Sequence, residues 1–95
     1  MSPEDKELYR RIDEVCHFRW DPIGVSDTAY ARNEYQSYVP TIFGHVKAGD
    51  LNAIIEYMRL VVTDTMGLPF DEDSAKRAAL QMLEWKKVIE QRNQQ

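Results

Sequence analysis

The sequence predicts an all-α fold, a compact antiparallel four-helix bundle, and three observations carry the prediction. Apolar residues recur at intervals of three and four along most of the chain, the period of a helix with one buried face. Capping residues, glycines and prolines divide that pattern into four stretches, and connections this short force neighbouring helices to run antiparallel. No segment shows the period-two alternation of a half-buried strand.

The first helix opens with Ser2 as N-cap, Pro3 at the first helical position and Asp5 in the capping-box place. Glu4, Asp5 and Glu7 sit where the helix dipole favours negative charge. Leu8, Ile12, Val15, Cys16 and Arg19 follow as one mostly apolar stripe. Pro22 disfavours helical geometry at Asp21, so the helix is expected to stop near Phe18 to Trp20. Gly24 then permits a tight turn.

A second helix is expected from Ser26 or Asp27, either of which can cap it, through Tyr30, Tyr35, Tyr38, Val39, Ile42, Phe43 and Val46 to Gly49. Pro40 falls inside this pattern, where it removes a donor and crowds the preceding turn. The helix is therefore kinked there, or broken with Ser37 capping a second segment; the kink is the favoured expectation. Asp50 caps a third helix with the face Leu51, Ile54, Ile55, Met58, Val61, Val62 and Thr65. Gly67 suits the left-handed position after it, with Leu68 as its apolar partner and Pro69 preventing continuation. The fourth helix starts near Asp71 to Asp73, turns Ala75, Ala78, Ala79, Met82, Trp85 and Ile89 inward, and frays over residues 91–95.

At 95 residues the chain reads as one helical domain over residues 1–95, with no room for a second core. Its 43% hydrophobic and 29% charged residues are those of a soluble globule rather than a disordered chain. The single cysteine cannot close an intrachain disulfide, and the N-terminus is acidic where a signal peptide is basic and then apolar. Apolar runs fall far short of a bilayer span, so a cytoplasmic location and no membrane partner are expected. A net charge of −4 argues against a nucleic-acid partner.

Catalytic constellations are scarce. No histidine pair at ligand spacing, Cys-x-x-Cys, phosphate-binding glycine loop or Gly-x-Ser-x-Gly elbow occurs. His17 has Asp13 four residues before it and Asp21 four after, a spacing that can orient an imidazole but, with no nucleophile or second ligand beside it, reads as an ordinary surface ion pair. Asp71, Glu72 and Asp73 lack the alternation and central glycine of a calcium loop and fit a helix start. Cys16 lies on the apolar face and reads as an inert buried thiol. Trp20, Asp21, Pro22 and Gly24 read as a rigid structural corner: a large anchor, an Asx-turn acceptor, a fixed bend and a relaxed one. Glu34, Tyr35, Ser37 and Tyr38 form a polar-aromatic patch, either a buried hydroxyl network or a set of interface anchors. No metal or other cofactor is expected.

Taken together, Trp20-Asp21-Pro22-Ile23-Gly24-Val25, Asn33-Glu34-Tyr35-Gln36-Ser37-Tyr38 and Met66-Gly67-Leu68 resemble a family of small bacterial helical proteins of unknown function. That family has a Trp-Asp-Pro-Ile-Gly turn followed by an Asp-Glu-Tyr-Asp-Ser-Tyr helix, and the resemblance spans residues 8–68. Asn33 and Gln36 stand where the family pattern favours aspartate, so it implies no cation site at those positions. In size, charge and helicity the chain is also similar to bacterial immunity proteins, which mask a cognate toxin.

Charge is unevenly spread. Residues 1–73 hold 14 acids against 7 bases, and residues 74–95 hold 5 bases against 2 acids. An acidic body steers onto a basic partner and raises the on-rate, although it also serves plain solubility. The leading expectation is thus a non-enzymatic domain that binds another protein, a basic bacterial toxin, through Asp27, Glu34, Tyr35, Tyr38, Asp50, Glu56 and Asp64. One rival is a small-ligand or metal site around Asp21, Glu34 and His17. The other is a structural homo-oligomer joined through an aromatic patch.

Overall fold

A computed structural model describes residues 1–20 and 36–92. Among them lie four α-helices and no strand: α1 (Pro3–Glu14), α2 (Val39–Ala48), α3 (Leu51–Leu60) and α4 (Glu72–Arg92). Two of the helices end in a wider turn. α1 runs on as a π-helical segment over Val15–Trp20, and α3 as another over Val61–Thr65. α1 packs on α2 and α4, and α3 packs on the same two helices.

Three of the four starts, those of α1, α3 and α4, have the side-chain cap their sequence implies. The Asp5 backbone N–H donates to Ser2 Oγ at 3.1 Å, and Pro3 stands at the head of α1 where its missing N–H costs nothing. The Ala53 N–H donates to Asp50 Oδ1 at 3.0 Å, and the Ser74 N–H to Asp71 Oδ1 at 3.1 Å. Such caps are worth about 1 kcal/mol each.

The end of α2 is closed by the backbone. Gly49 takes φ 70°, its N–H bonds to the Val46 carbonyl at 2.9 Å, and the Asp50 N–H reaches the His45 carbonyl at 3.2 Å. This is the Schellman pattern, and Asp50 uses its N–H for it while its carboxylate caps α3.

The expected start of the second helix at Ser26 or Asp27 lies outside the described residues. Pro40 breaks the chain rather than kinking it. Ser37 and Tyr38 form a turn, α2 begins at Val39, and Pro40 falls in its first turn. There its absent N–H is one of the donors a helix start leaves unused anyway. Tyr38, not Ser37, stands in the N-cap position and makes no side-chain capping bond.

The core is the sum of the helix faces: Leu8, Ile12, Ile42, Val46, Ile54, Met58, Ala78, Ala79 and Met82 are all buried. The inner face expected for the third helix holds as far as Val62, but Thr65 is exposed. The π-helical turn accounts for the difference. The Met66 N–H bonds to the Val61 carbonyl at 2.9 Å, five residues back instead of four, so the face rotates before Thr65 is reached. At Gly67, φ is 68°, and Leu68 folds back to donate to the Val62 carbonyl at 2.9 Å. Trp85 is only half-buried, and α4 keeps its helical form through Arg92 instead of fraying at residue 91. There Arg92 Nη2 lies 2.7 Å from Glu7 Oε2 on α1. Lys47 Nζ ties α2 to α1 in the same way, 2.9 Å from Asp5 Oδ1.

Candidate functional site

α3 buries one face and leaves the other to solvent, and the outward face carries an apolar residue. Its buried stripe is Ile54, Ile55 and Met58, continued by Val61 and Val62 in the π-helical turn. On the opposite side Asn52, Glu56 and Leu60 follow at intervals of four, with Thr63 and Asp64 in the next turn. Leu60 is 50% exposed, one of the few large apolar side chains left in water. Side chains four apart on an α-helix are neighbours, so Glu56 lies one turn before the leucine, and the exposed Asp64 follows in the π-helical turn.

Arg59 fixes this face. Its Nε lies 3.3 Å from Glu56 Oε1, its Nη2 lies 3.1 Å from Glu72 Oε1, and its guanidinium sits 4.6 Å above the Phe70 ring. The guanidinium thereby joins α3 to the first turn of α4 and holds Glu56 in place without burying it. Asp64 is steadied from its own turn. The Thr63 hydroxyl donates to the Arg59 carbonyl at 2.8 Å, with Asp64 Oδ1 at 3.3 Å. Both carboxylates stay exposed.

Of the seven residues expected to touch a partner, Glu56 and Asp64 share this face. Asp50 is also exposed, but at the α2–α3 corner and engaged by the Ala53 N–H. Tyr38 is placed in the core, 9% exposed, because the turn before α2 brings its ring inward among the buried residues. Asp27, Glu34 and Tyr35 lie outside the described residues, as do Asp21, Pro22 and Gly24 of the structural corner. Trp20, the corner's remaining member, is a core residue at 5% exposure. Leu60 was not among the expected contacts. Its signal is present in the sequence: it falls off the helical phase of Ile54, Met58 and Val61, yet it is apolar.

The chemistry around His17 is that of a core. His17 is 4% exposed, and the neighbouring Cys16 is fully buried. Burial pushes the Cys16 thiol far above its ordinary value, with the Asp13 carboxylate adding to the shift. A thiol held neutral in this way is a packing group. Among the described residues, no three His, Cys, Asp or Glu side chains come together as a metal-binding group. Three hollows lined by described residues measure about 60, 120 and 200 Å³. Small-molecule sites are larger, upward of about 300 Å³. No helix among the described residues is long and apolar enough to cross a membrane. No family model, curated protein or solved structure matches the chain.

Proposed function

We propose that the chain is a non-enzymatic protein-binding domain whose partner is a basic protein. In this reading it is a cytoplasmic immunity protein that neutralises a bacterial toxin, built as an antiparallel bundle with α3 presenting the binding face. One observation carries the reading: Leu60 stands half in water, with the exposed carboxylate of Glu56 one helical turn before it and that of Asp64 in the π-helical turn after it. An apolar anchor within a charged rim is the usual anatomy of a binding patch, in which burial of the anchor gives affinity and the charges give steering and register. The acidic balance of residues 1–73 adds long-range attraction for a basic partner, and nuclease toxins are basic because they hold phosphate.

The test is affinity capture from the native host with the wild-type chain and with Leu60→Lys side by side. A basic protein retained in stoichiometric amount by the wild type and lost by the variant supports the reading. Capture of the same proteins by both, or of none by either, overturns it. Leu60 is exposed, so the substitution leaves the core intact.

A further inference from the structure

We infer that α4 is a self-association surface, on which a second copy of this chain docks its own α4 antiparallel about a twofold axis through Gln81. The inference is independent of the α3 reading and rests on other residues. Ser74, Ala78, Gln81, Trp85 and Val88 follow one another at intervals of four, three, four and three, with Ala78 buried at the floor and the other four half-buried. That is the spacing of the seam along which two helices pack. Two hollows lie along this seam and share Gln81: one is lined by Ser74, Arg77, Ala78 and Gln81, the other by Gln81, Glu84, Trp85 and Val88. Leu80, next to Gln81 in sequence, is 46% exposed. Trp85 is stacked on one side by the Arg11 guanidinium, 4.5 Å from the ring, and is left half-buried.

Charge selects the occupant. Arg77 and Glu84 are exposed on the seam side of α4, four residues before Gln81 and three after it, and neither makes an ion pair among the described residues. In an antiparallel pair about Gln81, a residue n places before it faces the residue n places after it on the other copy. Arg77 then faces Trp85 of the second copy with Glu84 at the adjoining position, and the second copy's Arg77 does the same on the first. Both charges and both hollows are satisfied by one operation, as a twofold interface requires. A parallel pair would set arginine against arginine. From Ser74 to Val88 the seam is about 21 Å long at 1.5 Å per residue, so the contact falls at the small end of stable interfaces and the dimer is weak.

Sedimentation velocity from about 10 μM to about 1 mM at low salt reads this out. The wild-type mass is expected to rise from 11.1 kDa toward twice that value. Arg77→Glu, which sets like charges opposite each other, is expected to weaken association about tenfold or more. The double variant Arg77→Glu with Glu84→Arg restores the pairing and with it the dimer. A wild type that stays monomeric throughout overturns the inference. So does association that is indifferent to Arg77→Glu, or a double variant that fails to recover. All the changed side chains are exposed, so folding is not at stake.

Discussion

Asp50 is the residue on which the α2–α3 corner turns. Its N–H completes the close of one helix, and its carboxylate caps the next through the Ala53 N–H. Replacing it with alanine removes only the second bond and is expected to cost about 1 kcal/mol in chemical denaturation, whereas Asp50→Ser, which keeps an acceptor, loses a few tenths. Cys16 makes a second expectation at this scale. Its thiol is buried and its ionisation suppressed, so modification by a thiol reagent should be on the order of a hundredfold slower in the native chain than in denaturant. Equal rates would show that the first helix does not bury it. Both roles are legible in the sequence, because a cap and an apolar stripe are local patterns. Tyr38 shows where such reading stops: spacing alone puts it beside Tyr35 on a face, and only the turn ahead of Val39 decides that it points inward.

The helices themselves follow from local chemistry, and their ends do not always. Ser2, Asp50, Gly49 and Gly67 mark boundaries that the structure keeps. Gly49 and Gly67 both sit at positive φ with open space where a Cβ would point, so only the backbone conformation opposes a side chain. Gly49→Ala and Gly67→Ala are each expected to cost about 1 kcal/mol or slightly more, while Gly44→Ala, inside α2 with no close neighbour, should be neutral or stabilising. Thermal or urea midpoints of the three variants check the contrast. Pro40 carries a more general lesson. A proline in an apolar pattern is compatible with a kink or a new start, and the choice belongs to tertiary packing rather than to propensity. The π-helical endings of α1 and α3 have no sequence signature of their own, which is why Thr65 is exposed where the period placed it inside.

At the scale of the molecule, a small core is supplemented by ion pairs that join helices remote in sequence. Truncating a fully buried core residue such as Ile12 or Ile54 to alanine is expected to remove about 2–5 kcal/mol, a large share of the stability of a chain this size. The ion pairs act through pH instead. The hydrogen bond from Arg92 holds the Glu7 carboxyl below the ordinary carboxylate range, against partial desolvation, which pulls the other way. The pair's stabilisation is therefore present above the ordinary glutamate value, about 4.3, and is lost as pH falls through the lowered one. Lys47 is shifted upward, chiefly by its hydrogen bond to Asp5. Its contribution is complete below the ordinary lysine value, about 10.4, and disappears as pH rises through the raised one. Glu7→Gln should flatten the acid limb of stability against pH and leave the alkaline limb unchanged, with little effect at neutral pH because the pair is exposed.

Whole-molecule charge is also where the proposed function begins: in that reading the acidic body attracts a basic partner and the exposed Leu60 of α3 anchors it. The acids were legible in the sequence. The leucine between them was not singled out, because an exposed apolar residue is recognised only once the buried face is known. The measurement that tests this most directly is co-purification with the product of the gene next to its own, followed by a toxicity assay, using the wild type and a Glu56→Lys, Leu60→Lys, Asp64→Lys triple variant. The account predicts a stoichiometric complex and protection with the wild type, both lost in the variant. A wild type that neither binds nor protects, or a variant that does both equally well, would contradict it.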